Sequence, residues 1–419
     1  MRFPIPLRRR AVWWMLIPAV PLIVIVAQLS QPVLYLDWWT WIFAHSILLI
    51  LVPAAAASTG AALDASRLRV RRQENALTVR APAWILLDAF WPNYVGGILA
   101  QAVAVAVVTF AASGGRGAPP WGLIGAMLAI LVLHTALGLA FGSVLRPVFA
   151  IPAAMVASYV WLGFTGVVDW YELRHLAGLV LETCCLYDRQ PAAASIASVS
   201  IFSLLAGAGL MLIASVALRI RVVSPVTAAA AGVMLVSGGS VAGLLIAQGL
   251  GPSGSEPRDE RELVCTEGAV TVCLYPEQFD PTVVASVQTM VQRARDAGAP
   301  LAPRVVATHE VGDPHVLPFG YVPGMTEREI ANSLASALPD GSCASDEGDL
   351  ILARDSAYYT TYSWLEGTML GTPGVGEYAD YSESYLPALL ERSPGEQAEW
   401  IAAALASLGD CDVLPPEAP

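Results

Sequence analysis

The chain has 419 residues, 55% of them hydrophobic and 14% charged, with mean hydropathy +0.57, a sequence pI near 4.9 and a net charge of −12. Soluble domains rarely reach that hydropathy, so composition places the chain among membrane proteins, and the acidic balance argues against nucleic acid as a partner. All 23 basic residues are arginine, which excludes a Walker-type lysine, and with it P-loop ATP hydrolysis by this chain, as well as Schiff-base chemistry.

A spanning helix needs about 20 apolar residues. Seven stretches of that kind run through residues 1–251, at 11–29, 41–58, 94–112, 121–144, 148–168, 196–218 and 226–250. The first follows Arg8-Arg9-Arg10, as a signal peptide would, but no small-x-small cleavage site comes after it, so it reads as an uncleaved anchor. The inward segment "LDASRLRVRRQENALTVR" (63–80) predicts a short basic helix between the second and third spans. In "WILLDAFWPNYVGG" (84–97), Asp88 and Pro92 predict an interfacial helix that breaks before the third span inserts. His45 and His134 lie inside the second and fourth spans, where ionisable residues are functional candidates. With no carboxylate expected beside them at mid-depth, hydrogen bonding between helices is the favoured role, and an ion-coupled pump is disfavoured. Gly138/Gly142 and Gly239/Gly243 form G-x-x-x-G pairs that let helices approach closely, within one bundle or between two chains.

Arginine placement sets the orientation. With the N-terminus in the cytoplasm, twelve arginines of the spanning half fall on the inner side, and only Arg116, Arg174 and Arg189 fall outside. Seven spans then leave residues 252–419 outside the cytoplasmic membrane. That part holds 27 acidic residues and 8 arginines, a local charge near −19.

All six cysteines, Cys184, Cys185, Cys265, Cys273, Cys343 and Cys411, fall on the oxidising outer side, which favours disulfides over metal binding. Adjacent Cα atoms lie about 3.8 Å apart across a trans peptide, short of the usual disulfide range of about 4.4–6.8 Å. Cys184 and Cys185 are therefore expected to reach separate partners and tie the loop between the fifth and sixth spans to the outer domain. The overall pairing stays open.

Residues 252–261 read as a linker and 262–419 as a soluble α+β domain. Glu267-Gly268 marks a hairpin. Asp280 caps a helix opened by Pro281, with Val283, Val284, Val287, Val291 and Ala294 on one face. Thr326 with Glu329 and Ser393 with Glu396 are capping boxes. The aromatic run "AYYTTYSWLEGTML" (357–370) reads as a helix whose rings are core. "HEVGDPH" lacks the His-Glu-x-x-His spacing of a zinc protease and reads as a loop around His309, Glu310 and His315. No catalytic constellation, cofactor site or metal site is recognisable, so the chain is not expected to be an enzyme.

Six spans, a basic inner segment after the second and a sizeable outer loop between the fifth and sixth resemble the permease subunits of type-2 ABC exporters. "YELRHLAG" through "CC" (171–185) and "VCLYPEQ" (272–278) look like a subgroup from GC-rich bacteria with an extra outer domain. The resemblance implies a separate ABC ATPase subunit as partner, a homo- or heterodimer of permease chains in the bilayer, and an ATPase-coupling role for Arg67, Leu68, Arg69, Val70, Arg71 and Arg72. The seventh span departs from the family layout. The rival expectations are a membrane-anchored binding or sensor protein without transport activity and, more remotely, an extracytoplasmic enzyme.

Overall fold

The computed structural model describes residues 10–30, 35–70, 82–220, 224–308, 315–339, 343, 349–375 and 385–419. The chain divides into two compact units, Met1–Pro257 and Arg258–Pro419.

The first unit is a helical bundle. Its long elements are α1 (Ala11–Leu29), α2 (Trp39–Leu48), α3 (Leu51–Val70), α4 (Pro82–Ala111), α5 (Trp121–Val144), α6 (Pro147–Tyr159), α8 (Ala193–Ala217) and α9 (Pro225–Ala247). A π-turn, Val160–Phe164, continues α6, and a short α7 (Tyr171–Ala177) with a 3-10 turn (Leu179–Thr183) fills the connection to α8. Among the described residues, six helices are long and apolar enough to cross a membrane, or seven if the bent pair α2 and α3 is one span. The chain is thus suited to a multi-pass membrane protein.

Two expected boundaries move. The second span does not stop near residue 58: α2 and α3 meet at a 54° bend, and α3 then runs on to Val70. Pro53 explains the bend, because its ring is tolerated in the first turn of α3 but clashes with continuation from α2. The stretch 63–70 is therefore the last two turns of a span, with Asp64, Ala65, Ser66 and Leu68 buried, and not a separate basic helix. Likewise α4 does not break at Pro92; it is a single helix of 30 residues.

Close packing of the bundle rests on small residues. A Cβ at Gly138 or Gly142 would collide with the backbone carbonyls of Ser58 and Ala62 on α3, so α3 and α5 touch backbone to backbone. At Gly239 and Gly243 of α9 a Cβ would instead strike side chains, Leu205 of α8 and Leu176 of α7. Both G-x-x-x-G pairs are thus consumed within one chain.

In the second unit, β3 (Val264–Thr266) and β4 (Thr271–Leu274) form the expected hairpin. β5 (Arg304–Val306) and β6 (Val316–Pro318) join in the order β3-β4-β5-β6, the last two pairings parallel. α10 (Pro281–Asp296) crosses from β4 to β5 with Asp280 accepting from the Thr282 amide, and buries Val284, Val287, Val291 and Ala294 against the sheet. Both capping boxes are present, opening α11 (Glu327–Ala335) and α14 (Pro394–Gly409). The aromatic run lies in α12 (Asp349–Leu370), where Tyr362 and Trp364 are core; α13 (Leu386–Leu390) packs beside it.

Candidate functional site

The bundle has two ends, and side chains identify which connections meet at each. At one end Arg116 Nε is 2.6 Å from Asp37 Oδ2, and Tyr187 Oη donates to Asp37 Oδ1 at 2.5 Å. Trp38 stacks on Tyr187 there at 5.5 Å between ring centroids. The connections before α2, between α4 and α5, and between α6 and α8 therefore gather at one end.

The same end fixes the last residues of the first unit. β1 (Arg189–Pro191) pairs antiparallel with β2 (Ser255–Pro257). His175 of α7 is buried, its Nδ1 2.8 Å from Ser195 Oγ and its Nε2 3.0 Å from the Gly251 carbonyl. Burial lowers the His175 pKa, opposed by the Gly251 bond and by Glu172. Gly178, with φ +88°, ends α7 where a Cβ would strike Val199 and Ile130. Residues 255–257 of the expected linker are thus paired within the first unit. Beyond β2, Arg258 is held by Glu262 and Glu277 at 2.5 and 3.1 Å and lies over the Tyr275 ring.

The cysteines pair Cys184–Cys185, Cys265–Cys273 and Cys343–Cys411. No disulfide ties the 169–195 loop to the second unit, which corrects the expectation of separate partners. That expectation rested on trans-peptide spacing, whereas the Cys184–Cys185 peptide is cis. Both residues are buried, behind a 3-10 turn that packs on α2.

The opposite end carries a buried ionic joint that sequence reasoning missed. Arg10, with no exposed side-chain surface, donates from Nη2 to Asp88 Oδ1 at 2.8 Å and from Nη1 to the Asp88 carbonyl at 2.6 Å. Its Nη1 also lies 3.9 Å from Asp64 Oδ2. Asp64 in turn accepts from Arg67 at 3.0 Å and from Asn93 at 3.2 Å. The reason α4 survives Pro92 is here. Proline has no N–H to give the carbonyl four residues earlier, which is that of Asp88, and Arg10 supplies the missing donor. The signal in the sequence was Asp88-x-x-x-Pro92 inside an apolar run, together with the lone Asp64.

Of the coupling residues expected from the resemblance, Leu68 is 3% exposed and packs with Ile85, Leu86, Leu218 and Ile220, so it offers no docking surface. Arg69 donates to the Val144 carbonyl at 2.7 Å, covering the C-terminal end of α5. Arg67 is partly exposed, Val70 is 81% exposed, and Arg71 and Arg72 lie outside the described residues.

The two histidines join helices. His134 Nδ1 is 2.9 Å from Ser158 Oγ, across α5 and α6. His45 stacks on Trp41 and is hydrogen-bonded to the Ser30 backbone. Of "HEVGDPH", only His315 falls within the described residues, at the turn before β6. Among the described residues, no group of three or more His, Cys, Asp or Glu is placed to hold a metal ion. No protein-family model, curated protein or solved structure matches this chain.

Proposed function

We propose that the chain is the membrane-embedded permease subunit of an ABC-type exporter, working with a separate cytoplasmic ATPase, as one of two permease chains. In this reading the end holding Arg10 faces the cytoplasm, and residues 258–419 form an α+β domain on the far side. The observation that carries the reading is the ionic joint. α3 leaves the bundle at Arg67–Val70, directly beside Asp64, and Asp64 and Asp88 hold Arg10 of the α1 entry against α4. A push on the segment after Val70 is thereby delivered to three helices together. Buried charges are costly in such a bundle unless paired and used, which fits a force-bearing joint.

A second reading has its own support. β1, β2 and His175 hold the segment that leads out of the bundle in place within the first unit, as a membrane-anchored binding or sensor protein would need.

The test is to establish whether an ABC ATPase is encoded beside the gene and to co-express the two. The permease reading expects ATP hydrolysis to rise when the two are purified together, and Val70→Asp to abolish that rise while membrane insertion persists. A neighbouring histidine kinase in place of an ATPase, or no effect on hydrolysis, would overturn it in favour of the anchored sensor.

A further inference from the structure

At the end that holds Asp37 and Arg116, α1, α2 and α4 leave a crevice of about 420 Å³ between them. That volume lies within the roughly 300–1,000 Å³ typical of small-molecule sites. Its body is apolar, walled by Val24, Ala27, Val103, Val107 and Val108. Its other end is polar, with Gln28, Ser30, Tyr35 and His45. Among the described residues that line it, none carries a fixed charge.

In a bilayer the apolar wall by itself selects nothing, because lipid tails are as apolar as the wall. Selection falls to the polar end, where hydrogen bonds form in a low dielectric. The chemistry of that end is directional. His45 lies within reach of the Ser30 backbone and stacks on Trp41. A neutral imidazole carries one donor and one acceptor nitrogen. The Ser30 hydroxyl donates to the Val26 carbonyl at 2.7 Å, so its oxygen is also left to accept. Hydroxyl, amide and imidazole groups with no charged residue among the described lining suit a head group whose hydroxyls both donate and accept and that carries no charge. A charged head would be desolvated there with nothing to compensate it. From Val103 to Ala111, α4 runs along the crevice for about 12 Å, enough to lay one aliphatic chain lengthwise.

We infer that this crevice binds an uncharged, hydroxylated amphiphile, its head at Ser30 and His45 and a single chain along Val24, Val103 and Val107. A second groove provides the contrast. It lies where α8 meets α9, is lined by Val216, Val226, Ala229, Val233 and Met234, and among the described residues has no polar side chain; it takes bulk lipid without preference. The inference rests on the bundle lying in a bilayer and is independent of the export reading.

The experiment uses the full-length protein in phosphatidylcholine nanodiscs, photolabelled with a monoacylglycerol carrying a diazirine in its chain. Adducts are expected on peptides covering 24–30 and 103–111, saturable and competed by unlabelled mono-oleoylglycerol. Labelling of 226–234 should be weak and not competed. His45→Leu, or Ala106→Trp at the exposed rim, should cut the competed labelling at least fivefold, with both variants checked for a single chromatographic species. If neither variant folds, the wild-type competition series decides: palmitate and stearylamine should compete at least fivefold less well than mono-oleoylglycerol. Labelling that does not saturate, charged competitors that match the neutral one, or a folded His45→Leu protein that labels normally would overturn the inference.

Discussion

Replacing Arg10 by Met tests the ionic joint at its most expensive point. The substitution keeps the length and apolar stem of the side chain but removes the donors that hold Asp88 and its carbonyl. Asp64 retains Arg67 and Asn93, so the loss centres on Asp88, whose side chain is only 11% exposed. Breaking a buried pair by removing one partner costs about 3–5 kcal/mol. At roughly 2–4 °C per kcal/mol for a unit of this size, the unfolding midpoint should fall by roughly 6–20 °C. The carbonyl's share can be separated. Pro92→Ala restores an N–H to the Asp88 carbonyl, so in the Arg10→Met background it should recover about 1 kcal/mol, the net worth of a hydrogen bond. Adding Asp88→Leu removes the stranded charge and should recover most of the remainder. The assay is thermal unfolding of the four proteins in one detergent, followed by intrinsic fluorescence. An Arg10→Met midpoint within 2 °C of wild type, or no recovery from either second substitution, would refute the claim that Arg10 holds α4 across Pro92; the 2 °C limit corresponds to about 1 kcal/mol or less.

Three further outcomes follow from other parts of the structure. Gly138→Val should destabilise the bundle by about 1–3 kcal/mol through overpacking against the Ser58 carbonyl, whereas Gly125→Val, with nothing within 4 Å, should leave the midpoint unchanged. His175 has its pKa held below the ordinary 6.5 chiefly by burial. The unfolded state therefore takes up the proton first, and the clasp's stability is complete above that value and is lost as pH falls below it. Proteolysis at 248–257 should accordingly rise on acidification, and His175→Asn should remove that pH dependence. Cys343–Cys411 closes a sequence separation of 68 and Cys265–Cys273 one of 8. By loop-closure entropy the first is worth about 4 kcal/mol and the second about 2.5, so Cys411→Ser should lower the second unit's midpoint more than Cys265→Ser.

Elements with local signals were readable from sequence. Thr326 with Glu329, Ser393 with Glu396, and Asp280-Pro281 state their caps within four residues, and the apolar runs declare the long helices by length alone. What the sequence hid was compensation at a distance. Pro92 looks like a helix breaker until Arg10, 82 positions earlier, is seen to bond the carbonyl it strands. Leu68 looks like a surface residue in a basic stretch until Ile85, Leu218 and Ile220 are brought over it. The adjacent cysteines looked set to reach separate partners, yet they pair with each other. Arg258 looked like part of a solvated linker, yet Glu277 and Tyr275 enclose it. In each case the deciding partner is remote in sequence or the backbone geometry is not encoded by residue type.

The assignment of the two bundle ends to opposite sides of a membrane carries the most weight. Ala118, exposed beside Arg116, and Ser224, exposed just before α9, mark those ends. Each is replaced by Cys and whole cells are treated with a membrane-impermeant maleimide. Ala118→Cys is expected to label in intact cells and Ser224→Cys only after permeabilisation. Labelling of both sites in intact cells, of neither, or of Ser224→Cys alone would contradict the assignment.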